Sequence, residues 1–202
     1  MLGKHKFIVN YASAMIAREL GNALIAPVVT YVPEGDVNNP TRGHLSKAGT
    51  ITFPEEFYIK LLEYAARSLA VHGFNDIVMI GDSGGNQTGM QNAANLLNAE
   101  WGTKKVLFIP EFYDNAGVQQ HMENTFGIFE ESEGWHDNYW LSAMQAAVDP
   151  ETVRYEERVQ SGRASINGVS LVPLGRTIAV GEELMGWRTE QTVAAILASM
   201  QK

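Results

Sequence analysis

Six consecutive residues, Gly81 to Asn86, carry the side chains with the clearest chemical use in this sequence. They follow a run of apolar residues, and they place a carboxylate at Asp82 next to a hydroxyl at Ser83. Gly84 and Gly85 come next, and glycine lets a backbone approach a ligand closely. In α/β folds, ligands bind where a parallel strand ends and a helix begins, and the helix N-terminus favours anions. The segment therefore predicts a ligand-binding turn.

Three interpretations of this turn stay open from the residues alone. A phosphate cradle is the first, although the sequence contains neither G-x-G-x-x-G nor G-x-x-x-x-G-K-[ST]. A serine nucleophile at Ser83 is the second, although the surrounding residues do not form G-x-S-x-G. The third is a tight turn in which Asp82 or Ser83 caps the following helix.

A long surface loop predicted at residues 33–49 carries further candidates. Its composition is rich in Gly, Pro, Asn and Asp, and loops of this length are often functional. Glu34, Asp36 and His44 lie on it. These side chains can line a pocket, or they can be ordinary solvated groups.

The composition limits which reactive groups the protein can use. The 202 residues are 45% hydrophobic and 19% charged, as in a globular chain long enough for a sizeable core. Cysteine is absent, which excludes disulfides, thiolate nucleophiles and cysteine-ligated metal sites. A metal would therefore be held by His, Asp or Glu, and these ligands suit zinc, manganese, iron or magnesium.

Charge and hydropathy argue against two classes of partner. The net charge is −8 and no Lys/Arg cluster exceeds two residues, so we expect no nucleic-acid partner. No apolar stretch approaches the roughly 20 residues that a membrane helix needs, so we expect no membrane partner. The N-terminal residues do not form the apolar core of a signal peptide, which predicts a cytoplasmic protein.

The elements that must hold the turn alternate between helices and strands. The sequence patterns predict helices at residues 6–20, 52–73, 85–101, 137–147 and 189–200, and strands at 23–35, 76–81 and 104–113. The segment 23–35 is continuously apolar and β-branched, which is typical of a strand buried on both faces. This alternation predicts an α/β fold, a three-layer α/β/α sandwich with a mostly parallel sheet. We expect one domain over residues 1–202.

Three segments in order are similar to motifs of one enzyme family. Residues 81–86, GDSGGN, share Gly-Gly-Asn with a strand-ending N-G-H-G-G-N motif. Residues 47–52, KAGTIT, resemble F-P-G-T-I-[ST], and residues 136–142, HDNYWLS, are similar to H-A-G-x-x-E-T-S. On these motifs the chain resembles the creatininase (creatinine amidohydrolase) family over most of its length.

This resemblance implies a metal-dependent amidohydrolase that hydrolyses a non-peptide C–N bond in a small or cyclic amide. It also implies a divalent metal (zinc or manganese, with iron as a further option) and a homo-oligomer. His136 takes the place of the family's proton-shuttling histidine, with Asp137 beside it, and His5 and Asp82 are the expected metal ligands. The residues expected to contact the substrate are Ser83, Gly84, Gly85, Asn86, Trp135 and Tyr139.

The chain departs from the family pattern at the metal site. The family's first metal motif, E-x-H-G-x-H-L-P-x-x-T-D, matches only by its tail, which places His5 on the aspartate. We therefore expect the first strand and the first metal motif to precede Met1. Ser83 stands where the family has a ligand histidine, and Leu141 where it has a glutamate. Three explanations stay open: a truncated chain, a divergent enzyme with a reduced single-metal site, or a catalytically degenerate subunit for small-molecule binding or assembly.

Overall fold

The computed structural model describes residues 3–39, 43–134 and 137–201. Its helices are α1 (Lys4–Leu20), α2 (Glu55–Val71), α3 (Gly84–Trp101), α4 (Asn115–Phe126), α5 (Tyr139–Val148), α6 (Tyr155–Gln160) and α7 (Leu174–Met200). Its strands are β1 (Ile77–Met79), β2 (Val106–Phe108), β3 (Ser165–Ile166) and β4 (Val169–Ser170), with 3₁₀ turns at Gly43–Ser46, Pro110–Tyr113 and Pro150–Val153. Helices that alternate with a parallel strand pair place the protein in the predicted α/β class.

The chain divides into two compact units. The first unit contains Phe7–Ile25 and Asp114–Gln191. The second unit contains residues 3–6, Ala26–Tyr113 and residues 192–201. Compactness of each unit does not decide whether the two fold together, so the single domain over residues 1–202 stays a prediction.

The second unit is built on a short parallel sheet. Strands β1 and β2 pair in parallel, with Ile77 opposite Val106. Helices α2 and α3 pack against the sheet through a shared apolar cluster that includes Tyr58, Ala66, Met90, Ala93, Ala94 and Leu97. Asn98 on α3 fixes β2, because its amide donates to the Val106 carbonyl at 2.7 Å and accepts from the Val106 N–H at 2.8 Å. Because the strands are parallel, both end at the same edge of the sheet.

Local sequence signals explain why α2 and α3 form where they were predicted. Helix α2 follows Pro54 and carries Glu55 and Glu56 in its first turn, where carboxylates stabilise the positive helix end. Helix α3 ends at Trp101 and is capped by Gly102, whose φ of +64° is the left-handed conformation that terminates helices. Strands β1 and β2 lie within the segments predicted for them, and helix α1 covers its predicted segment but begins two residues earlier, at Lys4.

The strand predicted at residues 23–35 is wrong. These residues form no strand, and Leu24 and Tyr31 are 80% and 58% exposed, which burial on both faces would not allow. Proline explains part of the error, because Pro27 and Pro33 lack the N–H group that a central strand donates to its neighbour. An apolar run therefore marks an extended surface segment here.

The first unit is mainly helical and contains elements that the sequence patterns missed. The buried residues of α4 are Val118 and Met122, which give a weak periodic signal. Helix α7 begins at Leu174 rather than at residue 189, because several glycines obscure the pattern of its first half. Strands β3 and β4 form a short antiparallel hairpin. Within the described ranges, no helix has both the length and the apolar composition that crossing a membrane requires.

Tyr58 provides a pH-dependent test of the packing in the second unit. Its ring is 3% exposed, and burial raises the pKa of its hydroxyl above the usual value of about 10. The folded chain therefore keeps this proton at pH values where the unfolded chain has lost it. We expect Tyr58 to leave the free energy of unfolding unchanged below about pH 10 and to lower it as the pH rises further.

Denaturant unfolding measured from about pH 8 to about pH 11 checks this expectation. Tyr58→Phe should flatten the alkaline loss of stability. Tyr31→Phe is the matched control, because Tyr31 belongs to the same unit and is 58% exposed. An alkaline slope that stays the same in Tyr58→Phe would contradict the assignment.

Candidate functional site

The turn that follows β1 lies at the carboxyl edge of the parallel sheet. Ser83 is half-buried, Gly84 and Gly85 are exposed, and Asn86 is buried at the start of α3. The Gln87 side chain stabilises the turn by donating to the Ser83 carbonyl and to the Asn86 side-chain oxygen, both at 2.9 Å. A ligand therefore has access to the backbone of the two glycines.

Asp82 forms a hydrogen-bonded pair with His5. The Nδ1 atom of His5 lies 2.8 Å from Oδ2 of Asp82, and the side chains are 40% and 2% exposed. An ionised carboxylate only accepts hydrogen bonds, so Nδ1 carries the hydrogen when Asp82 is ionised. In the neutral imidazole, the Nε2 atom of His5 then keeps a lone pair. The structure thus brings together the two residues predicted as metal ligands.

Ser83 belongs to a second group of side chains, the Ser83–Glu34–His44 cluster. The Ser83 hydroxyl donates to Oε1 of Glu34 at 2.5 Å. Nδ1 of His44 is hydrogen-bonded to the other oxygen of the same carboxylate, Oε2. The Glu34 side chain is 15% exposed, whereas the His44 side chain is 43% exposed. The carboxylate therefore bridges a hydroxyl and an imidazole.

Two threonines hold the backbone of this cluster. The Thr52 hydroxyl accepts from the N–H of Glu34 at 2.9 Å. The Thr50 hydroxyl donates to the carbonyl oxygen of His44 at 2.8 Å. Both threonines belong to the KAGTIT segment, residues 47–52. In this structure the segment positions Glu34 and His44.

A close backbone contact places the loop against the turn. A Cβ atom on Gly85 would lie 2.0 Å from the carbonyl oxygen of Pro33, so only glycine permits this approach. The contact brings Glu34, the residue after Pro33, beside Ser83. Gly85 is therefore required by the loop as well as by the turn.

The described side chains fall short of a complete metal site. His5 and Asp82 offer one imidazole and one carboxylate, whereas catalytic zinc usually has three protein ligands. Among residues 3–39, 43–134 and 137–201, no three His, Asp or Glu side chains are arranged to hold a metal ion. His136 lies outside the described residues. These side chains alone do not fit a catalytic metal.

The remaining predicted site residues belong to the first unit or lie outside the described residues. Trp135, like His136, is outside them. Tyr139 is 1% exposed, and its hydroxyl lies 3.3 Å from a threonine hydroxyl inside the unit. The carbonyl oxygen of Asp137 accepts from Asn167 at 3.0 Å, and its buried Oδ1 has no hydrogen-bond partner among the described atoms. The roles predicted for Asp137 and Tyr139 stay predictions.

The sequence patterns gave no reason to connect Glu34 and His44 with Ser83, and they missed Tyr113. Tyr113 ends the 3₁₀ turn that follows β2, and its hydroxyl oxygen would lie 3.3 Å from a Cβ atom on Gly84. Because parallel strands end at one edge, its place after the neighbouring strand is the signal that could have found it.

Comparisons with known proteins agree with this fold. The sequence profile of a family described as creatininase (creatinine amidohydrolase) matches residues 1–196. No curated protein sequence matches the chain.

Solved creatininase structures resemble the chain over nearly its whole length. The crystal structure of creatinine amidohydrolase (creatininase) aligns over 98% of this chain and 82% of its own, at 18% identity and a TM-score of 0.61. A mutant creatininase of Zn-Zn type aligns over 98% and 82%, at 17% identity and a TM-score of 0.62. A mutant creatininase complexed with creatine aligns over 98% and 83%, also at 17% identity and 0.62. At these identities the likeness establishes a shared fold.

Proposed function

Because this chain belongs to the creatininase family, we propose that it is a metal-dependent amidohydrolase that acts on a small-molecule amide. The reaction we propose is hydrolysis of a non-peptide C–N bond in a small or cyclic amide. The family match over residues 1–196 is the observation that carries this proposal. The proposed metal is divalent, with zinc or manganese preferred and iron as the alternative.

The proposed roles are those that the family resemblance implies for residues of this chain. We propose that His5 and Asp82 contribute metal ligands; the 2.8 Å contact between His5 Nδ1 and Asp82 Oδ2 places the two side chains next to each other. His136 moves protons, with Asp137 beside it. The residues that we propose contact the substrate are Ser83, Gly84, Gly85, Asn86, Trp135 and Tyr139.

Metal uptake tests the proposed function directly. After incubation with zinc or manganese, elemental mass spectrometry should find about one tightly held ion per chain. Asp82→Ala should lose it, because this change removes the buried carboxylate. The same variant should lose any hydrolysis found in a screen of cyclic amides.

Asp76→Ala is the matched control for this experiment. It removes an exposed carboxylate that precedes β1, at the other end of the strand from Asp82. Its metal content should equal that of the unaltered chain. Full metal retention in Asp82→Ala would overturn the ligand assignment.

A second candidate function is a catalytically degenerate family member that binds a small molecule or acts as an assembly subunit. Two residues favour it. Ser83 stands at the position where the resemblance implies a ligand histidine. Leu141, at the glutamate position, is 8% exposed and apolar, so it provides no metal ligand. Absence of stoichiometric metal uptake by the folded chain would favour this candidate over the first.

Three broader features complete the proposal: a three-layer α/β/α sandwich that includes the β1–β2 sheet, a homo-oligomer, and a location in the cytoplasm.

An exposed apolar stripe on α2 supports the oligomer. Its residues share one helix face at spacings of three, four and seven. They are Phe57, Leu61, Tyr64 and Val71, which are 57%, 41%, 66% and 83% exposed. Contiguous apolar surface of this kind is typical of protein contacts, and a second copy of this chain is the partner we propose.

A further inference from the structure

We propose that Ser83 is a nucleophile, that Glu34 is its general base, and that His44 positions Glu34, so that this cluster accepts acyl groups from small carboxylic esters. The inference goes beyond the metal-dependent reaction proposed above. It rests on the Ser83–Glu34–His44 cluster and needs no metal ligand.

The direction of the Ser83 hydroxyl is the first argument. Ser83 is the N-cap residue of α3, where a serine ordinarily accepts a hydrogen bond from an amide of the first helical turn. Its side chain forms no such bond here and donates to Oε1 of Glu34 at 2.5 Å. The hydroxyl hydrogen therefore points at a base, as activation of a serine nucleophile requires.

The start of α3 is the second argument. The N–H groups of the first helical turn have no partner inside the helix, and the Ser83 side chain does not cap them. Gly84 and Gly85 occupy this turn and are exposed. Their N–H groups can therefore donate to the oxyanion that forms when Ser83 attacks a carbonyl carbon.

The restraint on Glu34 is the third argument. Each carboxylate oxygen of Glu34 has its own partner: Ser83 at Oε1 and His44 at Oε2. The backbone N–H of Glu34 donates to the Thr52 hydroxyl. A general base held in this way typically contributes about 10²–10⁴-fold to a rate. His44 touches no reacting atom and acts through Glu34, so it is a positioning residue.

The reaction balances with water as the only co-reactant. Oγ of Ser83 attacks the ester carbonyl carbon while its proton passes to Oε1 of Glu34. When the ester C–O bond breaks, Glu34 returns the proton to the leaving oxygen, which yields an alcohol and acyl-Ser83. Water then attacks the acyl carbon, Glu34 takes its proton and returns it to Oγ, and the acid leaves. The sum is ester plus water giving acid plus alcohol.

A fluorophosphonate probe tests the nucleophile on the full chain with a metal chelator present. Attack by Ser83 forms a P–O bond, breaks the P–F bond and releases fluoride, and the hydroxyl proton passes through Glu34 to solvent. We expect peptide mass spectrometry to locate the adduct on Ser83 and to find none in Ser83→Ala. Labelling of Glu34→Gln should be roughly 100-fold slower or more. Release of p-nitrophenol from p-nitrophenyl acetate should follow the same order.

Asp36→Asn is the matched control for the loss of a loop carboxylate. Asp36 lies on the same loop, but Oδ1 of its side chain accepts bonds from Asn38. Its labelling rate should equal that of the unaltered chain, and thermal unfolding verifies that each variant is folded. No labelling of the folded unaltered chain, labelling at another residue, or an unchanged rate in Glu34→Gln would overturn the proposal. Metal uptake by an unlabelled chain would leave the proposed amidohydrolase intact while this inference falls.

Chemical rescue tests the positioning role of His44. His44→Ala should slow labelling by roughly 10–100-fold, because Glu34 loses the partner of Oε2. The His44 side chain is 43% exposed, so added imidazole can reach the vacated position and should restore the rate. A rate that imidazole does not restore would overturn the positioning role.

Discussion

Gly181→Ala is expected to lower the free energy of unfolding by about 3 kcal/mol. A Cβ atom at this position on α7 would lie 1.9 Å from the carbonyl oxygen of Ala143 and 2.8 Å from the nitrogen of Met144. Both atoms belong to the backbone of α5, so no change of rotamer relieves the overlap. The two helices must move apart, and the buried contacts between them weaken. For a chain of this size, the change lowers the unfolding temperature by roughly 6–12 °C.

Gly186→Ala on the same helix is the matched control. A Cβ atom there would meet no atom within 4 Å. Alanine is favoured over glycine inside a helix by about 1 kcal/mol, so this variant should be slightly more stable than the unaltered chain. Calorimetry of the two variants measures the difference directly. Equal unfolding temperatures would show that α5 and α7 do not approach each other at Gly181.

Elements with their own start and stop signals were predictable from the sequence. Helix α2 has Glu55 and Glu56 in its first turn, and α3 is capped by a glycine with positive φ. These signals are local, so they do not depend on which other elements the helix contacts. Strands β1 and β2 were predictable because short apolar runs between helices leave few alternatives.

Elements whose state depends on distant partners were not predictable. Residues 23–35 have strand composition, but a strand exists only where a neighbour accepts its hydrogen bonds, and the sequence does not show the neighbour. The main-chain groups of this segment bond to residues 52 and 53 instead of to a strand: Phe53 N–H donates to the Val32 carbonyl at 3.1 Å, and Glu34 N–H donates to the Thr52 hydroxyl at 2.9 Å. Helix α4 was missed for a related reason. Its buried residues are Val118 and Met122, and the sequence alone does not show which elements bury them.

The candidate site also contains a part that was predictable from the sequence and a part that was not. The turn at Asp82 and Ser83 was predictable, because it follows a buried strand and precedes a helix in one continuous segment. The partners of that turn were not, because His5 is 77 positions and Glu34 is 49 positions away along the chain. The loop carries two acids, Glu34 and Asp36, and the contact between Gly85 and Pro33 selects Glu34 as the one beside Ser83.

Gly85→Ala is the second substitution expected to have a large effect on stability and on the labelling rate, because it disrupts the contact between Gly85 and Pro33. The added methyl group would lie 2.0 Å from the Pro33 carbonyl oxygen, a backbone atom, so residues 33 and 34 must move away from the turn. We expect a loss of about 2 kcal/mol in the free energy of unfolding. Separation of Glu34 from Ser83 should also slow fluorophosphonate labelling roughly 100-fold.

Gly84→Ala is the stability control for this variant, since its Cβ atom would meet the Tyr113 hydroxyl at 3.3 Å, the movable end of a side chain. Its unfolding temperature should therefore stay close to that of the unaltered chain. Combining Gly85→Ala with Glu34→Gln separates packing from chemistry. If the loop acts only by delivering Glu34, the double variant should be labelled no more slowly than Glu34→Gln alone. A double variant that is labelled more slowly would contradict delivery of Glu34 as the only effect, and it would assign the added loss to displacement of the Gly85 N–H group proposed to bind the oxyanion.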